Sequence, residues 1–248
     1  MINQTYKILP KHKKSVTLLI DPDKTTSEDE IYRLMRLASK AGIMNVFVGG
    51  SLVTNDKSDL VVRSIKRQFK GQVVLFPGGI NQLSENADGI LFLSLISGRN
   101  PEFLIGKQVL GAPLVKQMEL DVYPTGYMLI GHESSASYMS NTQPIPHDKI
   151  DIAVATALAG EMMGNHIIYM DAGSGALQPI STDMISRVKS AISLPLIIGG
   201  GITNFDQAYA AMEAGADMIV IGNAIEKSPE LLQELAGAAT AFNASNVH

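Results

Sequence analysis

The chain contains no cysteine. This absence excludes disulfide bonds, thiolate metal sites and cysteine nucleophiles. Long apolar runs are missing as well, since no stretch approaches the ~20 residues that span a bilayer. The first ten residues lack the apolar core of a signal peptide. We therefore expect a cytoplasmic protein, which can still act on a lipid-like substrate at a membrane surface.

Charge is also sparse, and it is slightly negative. Charged residues make up 18% of the chain, and the formal net charge is −4. The basic residues form no run longer than the short cluster Lys11-His12-Lys13-Lys14, which we interpret as a solvated lead-in to the first strand. A nucleic-acid-binding protein usually carries an extended basic patch, so we expect no nucleic-acid partner.

Apolar residues are abundant, at 46% of the 248 residues. Short apolar runs alternate with longer amphipathic stretches, which predicts an α/β protein with a parallel sheet. An open doubly wound sheet alternates in the same way. Eight predicted strands and a length close to the ~250 residues of a typical (β/α)₈ barrel favour that closed fold, as a single domain over residues 1–248. The predicted strands are 15–20, 45–48, 73–76, 89–93, 127–130, 166–170, 196–198 and 218–221.

Helical periodicity fills most of the gaps between these strands. The gap between the third and fourth strands is different, because residues 81–86 are too few for a full crossover helix. The third helix of the barrel is therefore predicted to be degenerate. Residues 111–123 fit no predicted element. Helices are predicted over residues 31–41, 58–69, 101–107, 149–163, 182–191, 205–214 and 229–242.

Glycine-rich segments follow each of the last three predicted strands. They are Asp171–Ala176, Gly199–Ile202 and Gly222–Ala224. Barrels often bind phosphate at the carboxyl ends of their last strands, where glycines let successive backbone N–H groups approach the phosphate oxygens. Asn223 and Ser174 could add side-chain donors. The glycines could also serve only to make tight turns, but three such loops in succession favour a phosphate site.

Acidic residues follow the first strand at Asp21 and Asp23, and Ser51 follows the second strand. Mg²⁺ prefers oxygen ligands and usually takes one or two carboxylates together with substrate phosphates. The two carboxylates therefore suggest a metal site or a diphosphate site, to which Ser51 could add a hydroxyl. Asp23 has a second interpretation, as a turn residue after Pro22.

Taken together, these motifs resemble those of geranylgeranylglyceryl phosphate synthases and the related bacterial heptaprenylglyceryl phosphate synthases. The resemblance spans about residues 15–230. Its specificity lies in the joint order and spacing of the motifs. The stretch Leu93–Pro101 resembles the longer group of the family, which includes bacterial members. The motifs are Ile20–Lys24, Val48–Ser51, Tyr169–Gly175, Gly199–Ile202 and Gly222–Ala224.

The resemblance implies a modified (β/α)₈ barrel with an altered third helix and a prenyl-transfer activity. The acceptor would be the C3 hydroxyl of sn-glycerol 1-phosphate, and the donor a polyprenyl diphosphate, with geranylgeranyl expected. The family also implies Mg²⁺ at Asp21 and Ser51, and a homo-oligomer, either a hexamer or a dimer. The glycerol phosphate site would comprise Tyr169, Met170, Asp171, Ala172, Gly173, Ser174, Gly175, Gly200, Gly201, Gly222 and Asn223.

Two positions depart from the family pattern. Leu19 stands where some members carry a substrate-contacting lysine, and Asp171 stands where many carry glutamate, which shortens the side chain by one methylene. Asp171 is the candidate catalytic base, although it could instead only orient the glycerol hydroxyls. Tyr169, the second candidate catalytic residue, would either bond the phosphate or line the prenyl path.

A prenyl chain needs an apolar groove. Phe103 is a candidate for the bulky residue that limits chain length. The Asp-Asp-x-x-Asp signature of helical prenyltransferases is absent, which indicates related chemistry on a different fold. Candidate groove residues are Phe76, Pro77, Leu93, Leu95, Ile96 and Phe103.

Two other functions compete with prenyl transfer. One is an isomerase or aldolase acting on a sugar phosphate. A Schiff-base aldolase needs an inward lysine at a strand end, whereas Lys24 lies beyond the first strand and the sixth strand has none. The other is a non-catalytic barrel that binds a phosphorylated ligand.

Overall fold

The computed structural model describes residues 7–10, 13–24, 27–54 and 57–245. Within these ranges eight parallel strands form a closed barrel in sequence order, with the last strand pairing with the first. The predicted (β/α)₈ barrel is therefore confirmed. The strands are β1 (Ser15–Ile20), β2 (Asn45–Val48), β3 (Gln72–Leu75), β4 (Gly89–Leu95), β5 (Asp121–Leu129), β6 (Ile167–Asp171), β7 (Leu196–Gly199) and β8 (Met218–Ile221).

Helices surround the barrel, and their local sequence explains where they begin. The helix α1 starts after Ser27, whose side chain accepts a hydrogen bond from the backbone N–H of Glu30, as an N-cap does. Ser181 and Asn204 cap α6 and α7 in the same way. The helices are α1 (Glu28–Lys40), α2 (Ser58–Lys66), α3 (Lys107–Gln117), α4 (Ser135–Ser140), α5 (Ile150–Met162), α6 (Thr182–Ala191), α7 (Phe205–Glu213), α8 (Asn223–Lys227) and α9 (Leu231–Ser245).

Two layers of apolar side chains form the core. One lies between the strands and the helices, and the other fills the barrel interior with residues such as Phe47, Leu91 and Tyr169. Ile8 is fully buried in the interior layer, and its carbonyl accepts a hydrogen bond from the side chain of Asn45 at 2.7 Å. Asn45 is the first residue of β2, so Ile8 packs at the amino-terminal end of the barrel.

The third helix is degenerate, as predicted. Between β3 and β4 the chain forms only a short 3₁₀ turn, Ile80–Gln82. Gln82 is buried, and its side-chain amide donates to the carbonyl of Gly50 at 2.8 Å and accepts from the N–H of Gly50 at 3.2 Å. This turn therefore holds the loop after β2 in place through hydrogen bonds. Because no crossover helix follows β3, that side of the barrel is left uncovered.

The sequence prediction is wrong around the fifth strand. β5 begins at Asp121, six residues before the predicted start, and the unassigned residues 111–123 contain the second half of α3 and the start of β5. Pro113 lies inside the helix and Pro124 inside the strand. Proline removes a backbone donor and argues against both elements in sequence. A π-helical turn, Glu102–Gly106, precedes α3, and α4 was not predicted.

The interpretation of the basic cluster as a solvated lead-in is wrong for Lys14. Its ammonium pairs with Asp217 at 2.9 Å, and its side chain is only 19% exposed. Residues 1–6, Lys11 and His12 lie outside the described residues, so the predictions that concern them, and the single domain over 1–248, stay predictions. In the described part of the chain, no helix is both long and apolar enough to cross a membrane.

Candidate active site

A cavity of about 740 Å³ opens at the carboxyl-terminal end of the barrel. Its wall includes the glycine-rich loops after β6, β7 and β8 and the acidic loop after β1. It also extends past the uncovered side of the barrel to Gly111 and Val115 on α3. The predicted phosphate, metal and prenyl regions thus belong to one continuous space.

The glycine loops after β6 and β7 pack tightly against each other. Gly173, Gly200 and Gly201 have φ values of +93°, +80° and +73°, which favour glycine. A Cβ atom on Gly200 would lie 2.8 Å from the backbone nitrogen of Gly173. A Cβ on Gly201 would lie 2.6 Å from the carbonyl oxygen of Gln178. These glycines are therefore required by the loop conformation itself, whether or not a phosphate binds there.

Gly222 is different from these glycines. Its φ is −131°, and a Cβ atom there would find its nearest described neighbour, a Leu19 atom, at 3.5 Å, which is ordinary van der Waals contact. The described protein atoms leave room for a side chain at this position, which lines the cavity. A glycine at such a place is consistent with close approach by a ligand.

Asn223 connects the loops after β1, β6 and β8. Its Oδ1 accepts hydrogen bonds from the hydroxyl of Ser174 at 3.0 Å and from the ammonium of Lys24 at 2.9 Å. Ser174, Gly175 and Asn223 all line the cavity. The structure therefore brings these three predicted phosphate-site residues together and adds Lys24, which the sequence placed only beyond the first strand.

Asp171 lies at the end of β6 with both carboxylate oxygens engaged. Oδ1 accepts from the N–H of Gly173 at 2.8 Å, and Oδ2 accepts from the hydroxyl of Tyr127 at 2.5 Å. Burial raises the pKa of Asp171, and these two hydrogen bonds oppose that rise. A carboxylate that is oriented by two donors and has a raised pKa has the properties of a general base.

Three aromatic rings lie beside this carboxylate in the cavity wall. Tyr169 stacks on Phe76 with 5.1 Å between ring centroids, and Tyr127 meets both rings edge to face at 5.4 and 5.6 Å. Burial and the nearby Asp171 raise the pKa of both tyrosine hydroxyls, so both stay protonated at neutral pH. Tyr127 was not predicted as a site residue.

Met170 and Ala172 point away from this group. Side chains alternate along a strand, and both residues are buried in the apolar layer between strands and helices. A contact of either residue with glycerol phosphate would therefore come from its backbone. The predicted roles of Tyr169, Asp171 and the glycine loops do not depend on these two side chains.

The acidic loop after β1 is a tight turn. The N–H of Lys24 donates to the carbonyl of Asp21 at 3.1 Å across the turn at Pro22, and Asp21 Oδ1 accepts from the N–H of Asp23. The Asp23 carboxylate accepts two hydrogen bonds from Thr54, at 2.8 and 2.9 Å. Asp23 thus joins the loops after β1 and β2, which supports its interpretation as a structural residue.

Asp21 is suited to bind a cation that is also bound by substrate. Its side chain is 20% exposed and lines the cavity beside Ser51. Burial raises the pKa of Asp21. A Cβ atom on Gly50 would lie 3.0 Å from Asp21 Oδ1, so the loop that carries Ser51 lies against this carboxylate.

The donor set fits Mg²⁺ only if phosphate and water complete the coordination. Within the described ranges, no group of three His, Cys, Asp or Glu residues could hold a metal ion. One carboxylate and one hydroxyl are hard oxygen donors, and Mg²⁺ commonly uses few protein ligands together with substrate phosphates. The residues present therefore fit an ion that arrives with a diphosphate.

The apolar part of the cavity agrees with most of the predicted groove. Phe76, Pro77, Leu93, Leu95 and Phe103 line it. Ile96 does not, since its Cδ1 packs against Gly126 and Gly160. Leu19 lines the cavity near Gly222.

A closed barrel with this arrangement at its carboxyl end belongs among the (β/α)₈ enzymes that bind phosphorylated substrates. Within that class, the model of the PcrB family matches residues 8–239. The chain belongs to the PcrB family.

Relatives of known name agree with this assignment. The chain is 52% identical over 227 residues to a geranylgeranylglyceryl phosphate synthase from Chitinophaga pinensis, covering 91% of this chain and 90% of the relative. It is 47% identical over 237 residues to the synthase from Spirosoma linguale, covering 95% of each. The crystal structure of (S)-3-O-geranylgeranylglyceryl phosphate synthase from Thermoplasma acidophilum in complex with sn-glycerol-1-phosphate superposes with a TM-score of 0.88. It is 30% identical over 94% of this chain and 95% of that one.

Proposed function

We propose that this protein transfers a prenyl group, with geranylgeranyl as the expected donor group, from a diphosphate to the C3 hydroxyl of sn-glycerol 1-phosphate. The observation that carries the proposal is the single cavity that joins the glycine-rich loops to an apolar groove. Asp171 and the three aromatic rings line this cavity as well. An isomerase or aldolase of sugar phosphates has no need of such a groove.

The glycerol phosphate is assigned to the loops after β6, β7 and β8. Backbone N–H groups of Gly200, Gly201 and Gly222 and the side chains of Ser174 and Asn223 would hold its phosphate. Asp171 would then face the glycerol hydroxyls. The relative from Thermoplasma acidophilum, which was crystallised with sn-glycerol-1-phosphate, supports this substrate.

In the transfer step, the C3 hydroxyl oxygen forms a bond with the allylic carbon of the prenyl group. The bond between that carbon and the diphosphate oxygen breaks, and the diphosphate leaves with the electron pair. The hydroxyl proton passes to Asp171, whose Oδ1 and Oδ2 are oriented by Gly173 and Tyr127. General-base assistance of this kind contributes about 10²–10⁴-fold to a rate.

Asp21 and Ser51 would hold a magnesium ion beside the diphosphate. When bound, Mg²⁺ neutralises the charge that grows on the leaving group. Positive charge develops on the allylic carbon as the diphosphate leaves. The aromatic rings of Phe76, Tyr127 and Tyr169 would stabilise that charge. Ring faces attract a nearby cation.

The remaining assignments concern the cellular location of the enzyme, its contact with membranes and its oligomeric state. We place it in the cytoplasm, as the sequence predicts. Peripheral membrane contact is supported by three exposed apolar residues that line the cavity, Leu52, Ile80 and Leu177. A homo-oligomer, a hexamer or a dimer, is supported by exposed apolar residues on α3 and the turn before it. These are Ile105, Val109, Leu110 and Leu114.

The test is incubation with radiolabelled sn-glycerol 1-phosphate, Mg²⁺ and prenyl diphosphates of several chain lengths. Formation of a labelled ether product, extractable into organic solvent, with release of diphosphate is the expected result. Saturable glycerol phosphate binding without product would support a non-catalytic barrel instead. Product with every chain length at equal efficiency would contradict a length limit at Phe103.

A further inference from the structure

Lys24 lies between the two ends of the cavity that the proposed function assigns to different substrates. Its ammonium donates to Asn223 Oδ1 at 2.9 Å on the glycerol phosphate side. The same nitrogen lies 3.7 Å from Asp21 Oδ2 on the diphosphate side and 3.1 Å from Glu226 Oε1. One cation therefore touches a residue of each predicted anion site.

The local sequence fixes this position. Pro22 sets the turn that the Lys24 N–H closes onto the Asp21 carbonyl at 3.1 Å, since proline favours the second position of such turns. The side chain then spans from the loop after β1 to the start of α8 and lines the cavity. The backbone of Lys24 is thus tied to Asp21, while its ammonium reaches Asn223.

Its present partners are ones that a phosphate could replace. The side chains of Lys24 and Glu226 are 42% and 36% exposed, and exposed ion pairs contribute little to stability. A phosphate dianion bound near Asn223 offers a stronger acceptor for the ammonium than a solvated carboxylate does. The exchange needs only a small movement of a flexible side chain.

No second described cation of the cavity wall is placed in this way. Lys107 also lines the cavity, but its ammonium lies 4.3 Å from the centroid of the Phe103 ring, at the apolar end. At the other end, Leu19 lines the cavity beside Gly222 and carries no charge. Lys24 is therefore the ammonium that the described residues supply between the two anion sites.

We propose that Lys24 couples the binding of the two substrates by contacting the phosphate of glycerol phosphate and the magnesium-bound diphosphate at the same time. This inference rests on the proposed function. Two anions held close together repel each other. A cation between them attracts both, offsets the repulsion and makes their binding cooperative. Each ligand then raises the affinity for the other by the same factor, as linkage requires.

A purely structural role of Lys24 would have a different effect on ligand binding. In that case Lys24 would only tether the loop after β1 to α8, and its removal would weaken both sites without changing how one affects the other. The coupling factor separates the two roles. It is the Kd for sn-glycerol 1-phosphate alone divided by its Kd in the presence of saturating Mg²⁺ and inorganic diphosphate.

The experiment is isothermal titration calorimetry on the wild type, Lys24→Met, Lys24→Arg and the control Lys66→Met. Lys66 is a lysine of similar exposure, 37%, paired with Asp88 at 2.6 Å next to the start of β4, away from the cavity. We expect Lys24→Met to lower the coupling factor by about tenfold, within the usual range of such couplings. Lys24→Arg should restore part of it, and Lys66→Met should leave it at the wild-type value.

Glu226→Gln should change the affinity for sn-glycerol 1-phosphate in the direction opposite to Lys24→Met. Loss of the competing carboxylate should tighten the binding of sn-glycerol 1-phosphate. Affinities that fall in Lys24→Met with an unchanged coupling factor would overturn the proposal, as would mutual exclusion of the two ligands in the wild type. Failure of the wild type to bind either ligand would instead contradict the proposed function itself.

Discussion

The hydroxyl of Tyr127 donates a hydrogen bond to Oδ2 of Asp171 at 2.5 Å. This bond lowers the pKa of the carboxyl group, against the rise caused by burial. Tyr127 lies one strand away, on β5, and its ring also packs edge to face on Tyr169. The pair therefore sets both the direction of the carboxylate and the pH at which it can accept a proton.

Tyr127→Phe should consequently shift the acid limb of the pH–rate profile to higher pH. The lost donor no longer favours the ionised carboxylate, so a larger fraction of Asp171 is protonated on the acid side. A hydrogen bond to a charged group contributes about 1.5–3 kcal/mol, and we expect kcat there to fall by roughly tenfold or more. Measurement of kcat from pH 5 to 9 provides the check.

Tyr123→Phe is the matched control for this variant. Tyr123 lies on the same strand and in the same interior layer, beside Gly89 and Asp121 at the far end of the barrel. Its loss of a hydroxyl should leave the midpoint of the acid limb unchanged. Equal displacement of the profile in both variants would mean that Tyr127 acts through packing and not through Asp171.

The sequence predicted Asp171 as a site residue but not Tyr127. The first prediction needs only a local motif, whereas the second needs the pairing of two strands that are far apart in the chain. Asp171 follows a recognisable strand within a glycine-rich motif, so its place at the barrel rim is local information. The bond to Tyr127 depends on the register of β5 against β6, where Tyr127 pairs with Tyr169. That register involves residues more than forty positions apart. Residues 127–130 were predicted as a strand, but Pro124 argues against the first part of β5, and no local pattern shows which residue of β6 lies beside Tyr127.

The same distinction explains the other outcomes. The eight strands, the degenerate third helix and the glycine loops follow from periodicity and short motifs. The bridge from Lys24 to Asn223 joins the first and last strands of the barrel, and only closure brings those residues together. The motif that predicts the phosphate site includes Met170, but alternation along β6 turns its side chain to the outer apolar layer.

Asp171→Asn should separate stability from activity. Burial raises the folded-state pKa of Asp171 above its value in the unfolded chain. The stability that this group contributes is thus fully present below the unfolded pKa and is lost as pH rises through the folded pKa. At neutral pH the ionised carboxylate therefore costs stability. The amide removes that cost and can still accept from the N–H of Gly173.

We expect the Tm of Asp171→Asn to exceed that of the wild type at pH 8, with the difference shrinking toward pH 4. Turnover should fall by about 10²–10⁴-fold, the usual contribution of a general base. Thermal unfolding at several pH values and steady-state kinetics measure the two effects. Turnover near the wild-type rate would show that Asp171 only orients the glycerol hydroxyls.

Asp21→Ala should abolish saturable binding of inorganic diphosphate in the presence of Mg²⁺, because the site supplies few other oxygen ligands. Asp23→Asn is the control. Its side chain keeps an acceptor for Thr54, the residue to which the native carboxylate is bonded. Calorimetric titration should show wild-type binding for Asp23→Asn. Loss of binding in both variants would place Asp23 in the metal site, and retention in both would remove Asp21 from it.

Gly200→Ala and Gly222→Ala should differ in their effect on stability. An alanine at position 200 would have to adopt a φ near +80°, and its Cβ atom would lie 2.8 Å from the backbone nitrogen of Gly173. Such strain costs about 1–3 kcal/mol, so Gly200→Ala should unfold at a lower temperature. At Gly222 the nearest described neighbour of a Cβ would be at 3.5 Å, so the fold should tolerate alanine.

If Gly222 is glycine because a phosphate approaches its backbone, Gly222→Ala should weaken the binding of sn-glycerol 1-phosphate while its Tm stays close to that of the wild type. Thermal unfolding without ligand and calorimetric titration with sn-glycerol 1-phosphate measure the two properties on the same samples. Wild-type affinity in Gly222→Ala would mean that the phosphate does not come within contact distance of this residue. The glycerol phosphate would then have to be held by the loops after β6 and β7, where the glycines are already required by the packing of the loops.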